Sequence, residues 1–563
     1  MIDKIKMREW AYKAGSVFRW NPDLYCLMKR GFDHVTRGFF TQWKKIIQAT
    51  SPELLREPSE KESRGDVLFV SPRWWSIHQG WETIIAYILR WQGFRPHFMI
   101  CDNIIDTCDS YDPNQKAGEI CAQCRRDITG FFKDSRLPFS RFSDWIDVAS
   151  VREEARRGVD AWDIGMDLEK YSWDDFPIGS LIWVSLVRYL RRIRLTSDPH
   201  MIASSRKYLE SGIISYHALN NALNSRDWKY IFAVNGSFFI EAIAGEIARR
   251  RRIDFFSYER GIKKDFILLC KNEEIGLFDL THIFKNREPL NDAEKHEMKD
   301  YCAARKMGRQ SIINYWPEVE EDKNNIIQTL HLSPDRKLYS AFPNITWDSA
   351  VINREIYFNN LWGWISTTIS HIEQRPDIQL VVRVHPAEVR LRQKSSERVS
   401  DLIREHFPHL KENIKVVDAD SPISTYSLVE LSDKILVYTT TVGLEAAMMG
   451  KEVIASASTH YRGKGFTTDC ATKEEYLKCL DEDHPIDRDA VMEEAWRYAY
   501  TLFFDTHIPF RSLSEEDQGY YHYNIKSLDN LLKGDFPEVR FFKKFPFDAP
   551  NGFLSYRTIE SGR

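Results

Sequence analysis

The stretch DKILVYTTTVGLEAAMMGKEVI, Asp433 to Ile454, decides the fold. An apolar run of strand length ends at Tyr438. Three threonines follow, a short helical pattern begins near Val442, and a second apolar run begins at Glu452. Short apolar runs without alternation predict strands buried on both faces, as in a parallel sheet. The same alternation extends upstream. KLYSAFPNI reads as a strand, REIYFNNLWGWISTTISHIEQ as a long helix and IQLVVRVHP as a strand. SERVSDLIREHF is then a helix, IKVVDA a strand and STYSLVELS a short helix. This pattern predicts a doubly wound α/β domain over 331–505.

An earlier part of the chain repeats the theme. DVLFVSP, GWETIIAYILRWQG and RPHFMICD make a strand–helix–strand unit, which implies parallel pairing. KYIFAVNGS, FIEAIAGEIARRRR and IDFFSYERG make a second, after a mostly helical stretch over 130–230. These predict an N-terminal Rossmann-like domain over 66–330, with a polar boundary at 286–335. Residues 1–65 read as a helical extension and linker, and 506–563 as an aromatic-rich, less regular tail. Two such domains in series predict a cleft lined by the loops that follow strands.

Composition narrows the function classes. With 43% hydrophobic and 28% charged residues, disorder and coiled coil are excluded. A net charge of −4 offers no basic excess for nucleic acid. No apolar run reaches bilayer length, and MIDKIKMREW has no apolar signal region. The expected location is the cytoplasm, where nine cysteines should stay reduced, bind metal or sit buried.

The candidate chemistry sits after strands. RVHPAE places His385 at a strand end, stopped by Pro386, where its imidazole can donate to a phosphate or act as an acid. Arg383 precedes it. Thr439, Thr440 and Thr441 offer hydroxyls and backbone N–H groups at a helix start, a natural anion cradle. Thr440 and Thr441 are expected to cap that helix. Gly443 permits close backbone approach, and Glu445 in the first turn can accept from a ribose hydroxyl. In STHYRGKGFT, Tyr461, Arg462 and Lys464 read as a flexible basic loop that clamps nucleotide or acceptor, with a solvated turn as the alternative. Asn235 and Glu259–Arg260 end two N-domain strands. Glu259 is the leading base or nucleophile, with Asn235 contacting the acceptor, and a structural ion-pair network centred on Glu259–Arg260 is the alternative. Cys101, Cys108, Cys121 and Cys124, in C-x6-C-x12-C-x2-C spacing, read either as a structural zinc set or as unrelated reduced thiols. The arginine runs 191–194 and 249–252 read as helix C-terminal cations, or as contacts to anionic lipid or glycan.

PNITWDSAV, LVVRVHPAE, STYSLVELSDKILVYTTTVGLEAAMMGKEVI and YRGKGFT together resemble the capsule polysaccharide biosynthesis family, which includes bacterial Kdo transferases. The likeness is strongest over about 335–480 and extends through NGS and YERG. It implies a GT-B glycosyltransferase fold, with two Rossmann-like domains facing a cleft. It also implies a nucleotide-sugar donor, CMP-linked Kdo or a related acid, and a glycan or lipid-linked acceptor. In that scheme His385 binds or protonates the donor phosphate, Thr440 and Thr441 hold it, and Glu445 holds the ribose. Catalysis would require no cofactor, because protein groups neutralise the phosphate. Lipid-linked acceptors would bring peripheral contact with the inner membrane. The competing readings are a CDP-polyol-phosphate transferase, a non-catalytic assembly scaffold and a nucleotide-sugar epimerase.

Overall fold

The computed structural model describes residues 41–110, 117–163, 166–192, 198–306, 319–390, 394–483, 486–517 and 520–561. The aromatic helices expected in 1–40, the membrane contact inferred from them and Arg194 lie outside these.

The N-terminal sheet uses β1 (Gly65–Val70), β2 (Phe94–Ile100), β3 (Phe139–Arg141), β4 (Trp228–Val234), β5 (Asp254–Arg260) and β6 (Phe266–Lys271). The C-terminal sheet uses β7 (Lys337–Phe342), β8 (Ile378–Arg383), β9 (Ile414–Val417), β10 (Lys434–Val437) and β11 (Glu452–Ala455). Four short strands follow: β12 (Ile508–Pro509), the hairpin β13 (Leu513–Asp517) and β14 (Tyr520–Tyr523), and β15 (Gly552–Phe553).

β7–β11 form a wholly parallel sheet in the order β11-β10-β7-β8-β9. β8 and β10 are buried along their whole length, Gln379, Arg383 and Lys434 included. The chain moves outward from β7 in one direction through β8 and β9, then in the other through β10 and β11. The switch point therefore lies between β7 and β10, where open α/β sheets bind ligands beyond the strand C-termini. The N-terminal sheet runs β12-β6-β5-β4-β1-β2-β3 and switches between β1 and β4. β1–β5 pair in parallel, whereas β6 is antiparallel to β5. Both domains are Rossmann-like, and together they make a GT-B-type architecture.

Helices cover both faces of each sheet. In helix Ser76–Trp91, Ile77 and Gln79 through Arg90 are all buried, the polar Gln79, Glu82, Thr83 and Arg90 included. It shares one core with Trp43 and the tail residues Phe541 and Phe545. The opposite face carries the helices Val148–Ala161, Ile178–Leu190, Pro199–Asn224 and Phe239–Arg251. The segment 506–563 is therefore not peripheral. It returns to the first domain, where β12 and β15 both pair with the outer edge of β6. The core between the domains is continuous, joining Cys270, Ile275 and Phe553 to Val437, Leu444 and Tyr461.

One helix starts later than its sequence pattern predicts. It begins at Leu361, because Asn360 is extended and its side chain accepts from the Gly363 N–H at 2.8 Å. Arg354 lies outside it and reaches Glu274 of the N-terminal half at 3.3 Å. The arginine run at 249–252 closes helix Phe239–Arg251. There Arg249 and Arg250 pair with Glu246 and Arg251 binds Asn220, so local partners account for three of the four.

Candidate functional site

The loops after β10, β7 and β8 stand side by side, because those strands are consecutive in the sheet. Asn344, after β7, is buried and its Oδ1 accepts from the Thr439 N–H at 3.1 Å. That bond spans the switch point. The hydroxyls of Thr439 and Thr346 are buried there, and each lacks a hydrogen-bond partner. Buried hydroxyls left unpaired cost free energy unless a ligand or water completes them.

His385 is partly buried at the end of the β8 extension. The Ala387 N–H donates to its Nδ1 at 3.1 Å, so the neutral ring carries its proton on Nε2. Burial pushes its pKa down to about 4, Asp348 opposes that shift, and Arg383 adds to it. At neutral pH this imidazole is an uncharged hydrogen-bond donor. Action as an acid, the other expectation, needs a protonated ring, which this burial disfavours.

Arg383 is oriented otherwise than the sequence predicts. It is buried, and it donates to the carbonyls of Val384 (2.9 Å), Asp418 (2.7 Å) and Ser421 (3.0 Å). The guanidinium braces the loop after β9, and burial lowers its pKa to about 10. Pro386 begins the turn behind His385, where its carbonyl accepts from Val389 and Arg390.

The threonines divide their work. Thr440 Oγ1 accepts weakly from the Val442 N–H at 3.4 Å. Thr441 does not cap with its side chain, contrary to expectation, because its backbone is already helical (φ −62°, ψ −14°). Glu445 sits partly exposed in the first turn. Gly443 does permit close approach, but of Tyr461 rather than a ligand. A Cβ there would collide with the Tyr461 hydroxyl and lie 2.9 Å from its Cζ. Gly443→Ala is expected to cost about 1–3 kcal/mol of stability by overpacking. Tyr461→Phe should recover part of that loss in a thermal melt, because it removes the hydroxyl and leaves the ring carbon.

The segment 458–467 is packed rather than flexible. Tyr461 is fully buried and bonds the Thr440 carbonyl. Arg462 donates to the carbonyls of Ala455 and Cys470. Lys464 donates to Thr281 Oγ1 at 2.8 Å, which ties the second domain to the first. Their polar groups are taken up by protein partners, so none of the three reads as a free clamp.

In the N-terminal domain, Asn235 and Glu259 meet. Asn235 adopts the left-handed conformation (φ 61°) at the end of β4. Its Nδ2 donates to Glu259 Oε2 at 2.8 Å, and its Oδ1 accepts from the Ser237 N–H. Glu259 Oε1 accepts from the Arg260 N–H at 2.8 Å. The Arg260 guanidinium pairs with Glu515 of the tail, which replaces the expected Glu259–Arg260 pair. Burial raises the Glu259 pKa, while Asn235, the Arg260 N–H and the nearby charge of Arg188 hold it down.

Helix Ile178–Leu190 connects this wall to the other. Its Val187 packs with Ile345, Trp347 and Ala387, the last two residues beyond His385. The next residue, Arg188, stacks over Phe238 and acts on Glu259. Asn344, Thr346 and Arg188 were not singled out by sequence reasoning. Asn344 was hidden inside the stretch KLYSAFPNI read as a strand, whereas β7 ends at Phe342. Arg188 was hidden in a helix pattern.

The four cysteines line a single cavity with Arg73 and Ser110. Among the described residues no group of three or more His, Cys, Asp or Glu side chains could hold a metal ion, and none of their helices is long and apolar enough to cross a membrane.

Comparison with known proteins gives a partial match. No curated protein matches the chain. The Thermosulfurimonas dismutans KpsC beta Kdo 2,4 transferase structure aligns with 48% of this chain and 79% of its own, at 15% identity and a TM-score of 0.32. The S. aureus MnaA–UDP structure aligns over 77% and 91%, at 10% identity and a TM-score of 0.25. Anabaena HepE, in complex with UDP and glucose, aligns over 78% and 96%, at 12% identity and a TM-score of 0.26. The sequence model of the family described as Capsule polysaccharide biosynthesis protein matches residues 365–499. That span contains β8 through β11, His385 and the threonine turn. Over residues 365–499, then, the chain is similar to the capsule polysaccharide biosynthesis protein family.

Proposed function

We propose that the chain is a glycosyltransferase of bacterial surface-polysaccharide assembly. It takes a sugar, Kdo or a related acid, from a CMP-linked donor and passes it to a hydroxyl of a glycan or lipid-linked acceptor. It works in the cytoplasm, against the inner membrane where the acceptor is lipid-linked. The observation that carries this reading is the switch point of the second domain. There unpartnered Thr439 and Thr346 hydroxyls adjoin the loop that holds a neutral, Nε2-protonated His385.

As the bond from the anomeric carbon to the phosphate oxygen breaks, its electron pair stays on the departing nucleotide. His385 Nε2–H and the threonine hydroxyls donate to that growing charge. From the facing domain, Glu259 takes the acceptor hydroxyl's proton while the acceptor oxygen bonds the anomeric carbon. Asn235 holds the carboxylate's orientation. Transfer runs without a catalytic metal, because these donors perform the neutralisation.

The test is a thermal-shift screen of CMP, CDP, UMP, UDP and GDP. A ligand at about 100 times its Kd stabilises by about 2.7 kcal/mol. A cytidine-selective shift supports the reading. A uridine or guanosine preference replaces the donor, and no shift with any nucleotide favours a scaffold. Phosphorus retained in the transferred product would point instead to a polyol-phosphate transferase.

A further inference from the structure

We infer that the outer corner of the first domain holds a binding groove for an acidic glycan chain. Helix Ala117–Ser135 connects β2 to β3. Arg125, Arg126, Thr129, Gly130 and Lys133 recur on it at intervals of three and four, so they share one face. Asp102, just after β2, and Arg141, the last residue of β3, close the other side. Between them lies a cavity of about 600 Å³. A Cβ added at Gly130 would meet nothing within 4 Å, so the floor is open. That volume suits an organic ligand rather than a lone ion.

The lining carries four cations against one carboxylate. The carboxylate is already engaged, because Asp102 accepts from the Ser143 N–H and hydroxyl. Arg126 reaches Asp127, its neighbour in sequence, at 3.9 Å. Among the described residues, Arg125, Lys133 and Arg141 pair with no carboxylate. Like charges gathered around one hollow repel one another, and a polyanion relieves them. Guanidinium forks also match carboxylates bidentately. β1–β5 are parallel, so the ends of β2 and β3 lie on the same edge of the sheet as Asn235 and Glu259. They stand two and three strands from β4, roughly 10–15 Å away at ordinary strand spacing. A chain whose reactive end meets Glu259 can therefore lay its further units in the groove. A bilayer fits less well, because it is broad and flat whereas these cations ring a hollow. Among the described residues, the exposed large apolar side chains that could enter lipid, Met166, Leu277, Val319 and Ile356, lie outside the lining. Single-stranded nucleic acid calls for stacking aromatics, and the lining has none. That the bound chain is the acceptor rests on the transferase reading; its binding does not.

The test titrates the full chain with a fluorescently labelled oligogalacturonate, beside a neutral maltooligosaccharide of equal length. The acidic chain should bind, the neutral one should not, and affinity should fall as salt rises. Single exposed ion pairs contribute little, so several cations must be removed together. Arg125→Gln/Lys133→Gln/Arg141→Gln should weaken binding about tenfold or more, with the melting temperature and the nucleotide shift kept. Arg156→Gln/Arg157→Gln, at exposed positions of helix Val148–Ala161, should change nothing. No binding by wild type, equal binding of the neutral chain, an unaltered triple variant or an equal loss in both variants would overturn the groove. So would a triple variant that loses phosphatidylglycerol vesicles but keeps oligogalacturonate, which would assign these cations to a membrane. The nucleotide shift belongs to the other domain, so its absence would remove the transferase reading and leave the groove standing.

Discussion

His385→Ala is expected to lower kcat by about 10²–10³-fold, the cost of removing one donor to a developing oxyanion. The same change should abolish the cytidine-nucleotide shift. Alanine also strands the Ala387 N–H, which now donates to Nδ1, and an orphaned donor costs about 1–3 kcal/mol. Loss of activity alone would thus confuse chemistry with stability. Two further variants separate them. In His385→Asn, Oδ1 stands near the Nδ1 position and can accept from Ala387, but no donor reaches the Nε2 position. In His385→Gln, the amide N–H falls near Nε2. Asparagine should restore the melting temperature without restoring transfer, and glutamine should recover part of the transfer. With a pKa of about 4, the ring keeps the same protonation state across the physiological range. The free enzyme's nucleotide shift should therefore show no titration near the ordinary histidine pKa. Equal transfer by all the variants and wild type would remove His385 from the donor site.

The sheet of the second domain was legible because its strands are short, mostly apolar runs that alternate with helical patterns. His385 and the threonine turn could be placed by the same logic, since a strand end in a doubly wound sheet is a site by topology. Side-chain direction was not legible. Arg383 adjoins the site in sequence, yet alternation and burial turn it onto the carbonyls of Val384, Asp418 and Ser421. Arg462 and Tyr461 look like a polar loop in sequence, yet they pack inward because Gly443 leaves room for the tyrosine. Contacts that cross hundreds of residues were also invisible. β12 and β15 are two residues each, too short for any periodicity, and Glu515 meets Arg260 only because the tail returns to β6. The family match covers residues 365–499, so the N-terminal wall rests on physical reading alone.

That wall is tested most sharply at Glu259. Glu259→Gln is expected to reduce transfer by about 10²–10⁴-fold, the range of a lost general base, while the nucleotide shift stays at its wild-type size. Glutamine keeps the shape, and its one oxygen can still accept from Asn235 or from the Arg260 N–H while its amide nitrogen faces the other donor, so the fold should survive with a modest loss of stability. What it loses is the ability to take a proton or to attack carbon. The carboxylate must be ionised to work, and burial raises its pKa above the ordinary glutamate value. Activity should therefore fall as pH drops through that raised value. The Asn235 N–H holds the pKa down, so Asn235→Ala should move the acid limb to higher pH. A role confined to packing would lower stability without moving that limb. Trapping a sugar on Glu259 with a slow acceptor would identify it as nucleophile in a double displacement. A trapped sugar on another carboxylate, or full activity of Glu259→Gln, would assign the base elsewhere on this wall. Glu82 is the alternative to try next. Its oxygens accept from Ser71 and Tyr258, and burial pushes its pKa up to about 8. It is 1% exposed, so to reach an acceptor hydroxyl it would have to break both bonds. Glu259, at the strand end beside Asn235, also holds a hydrogen bond on each oxygen but is only partly buried, and for that reason its substitution carries the larger expected loss.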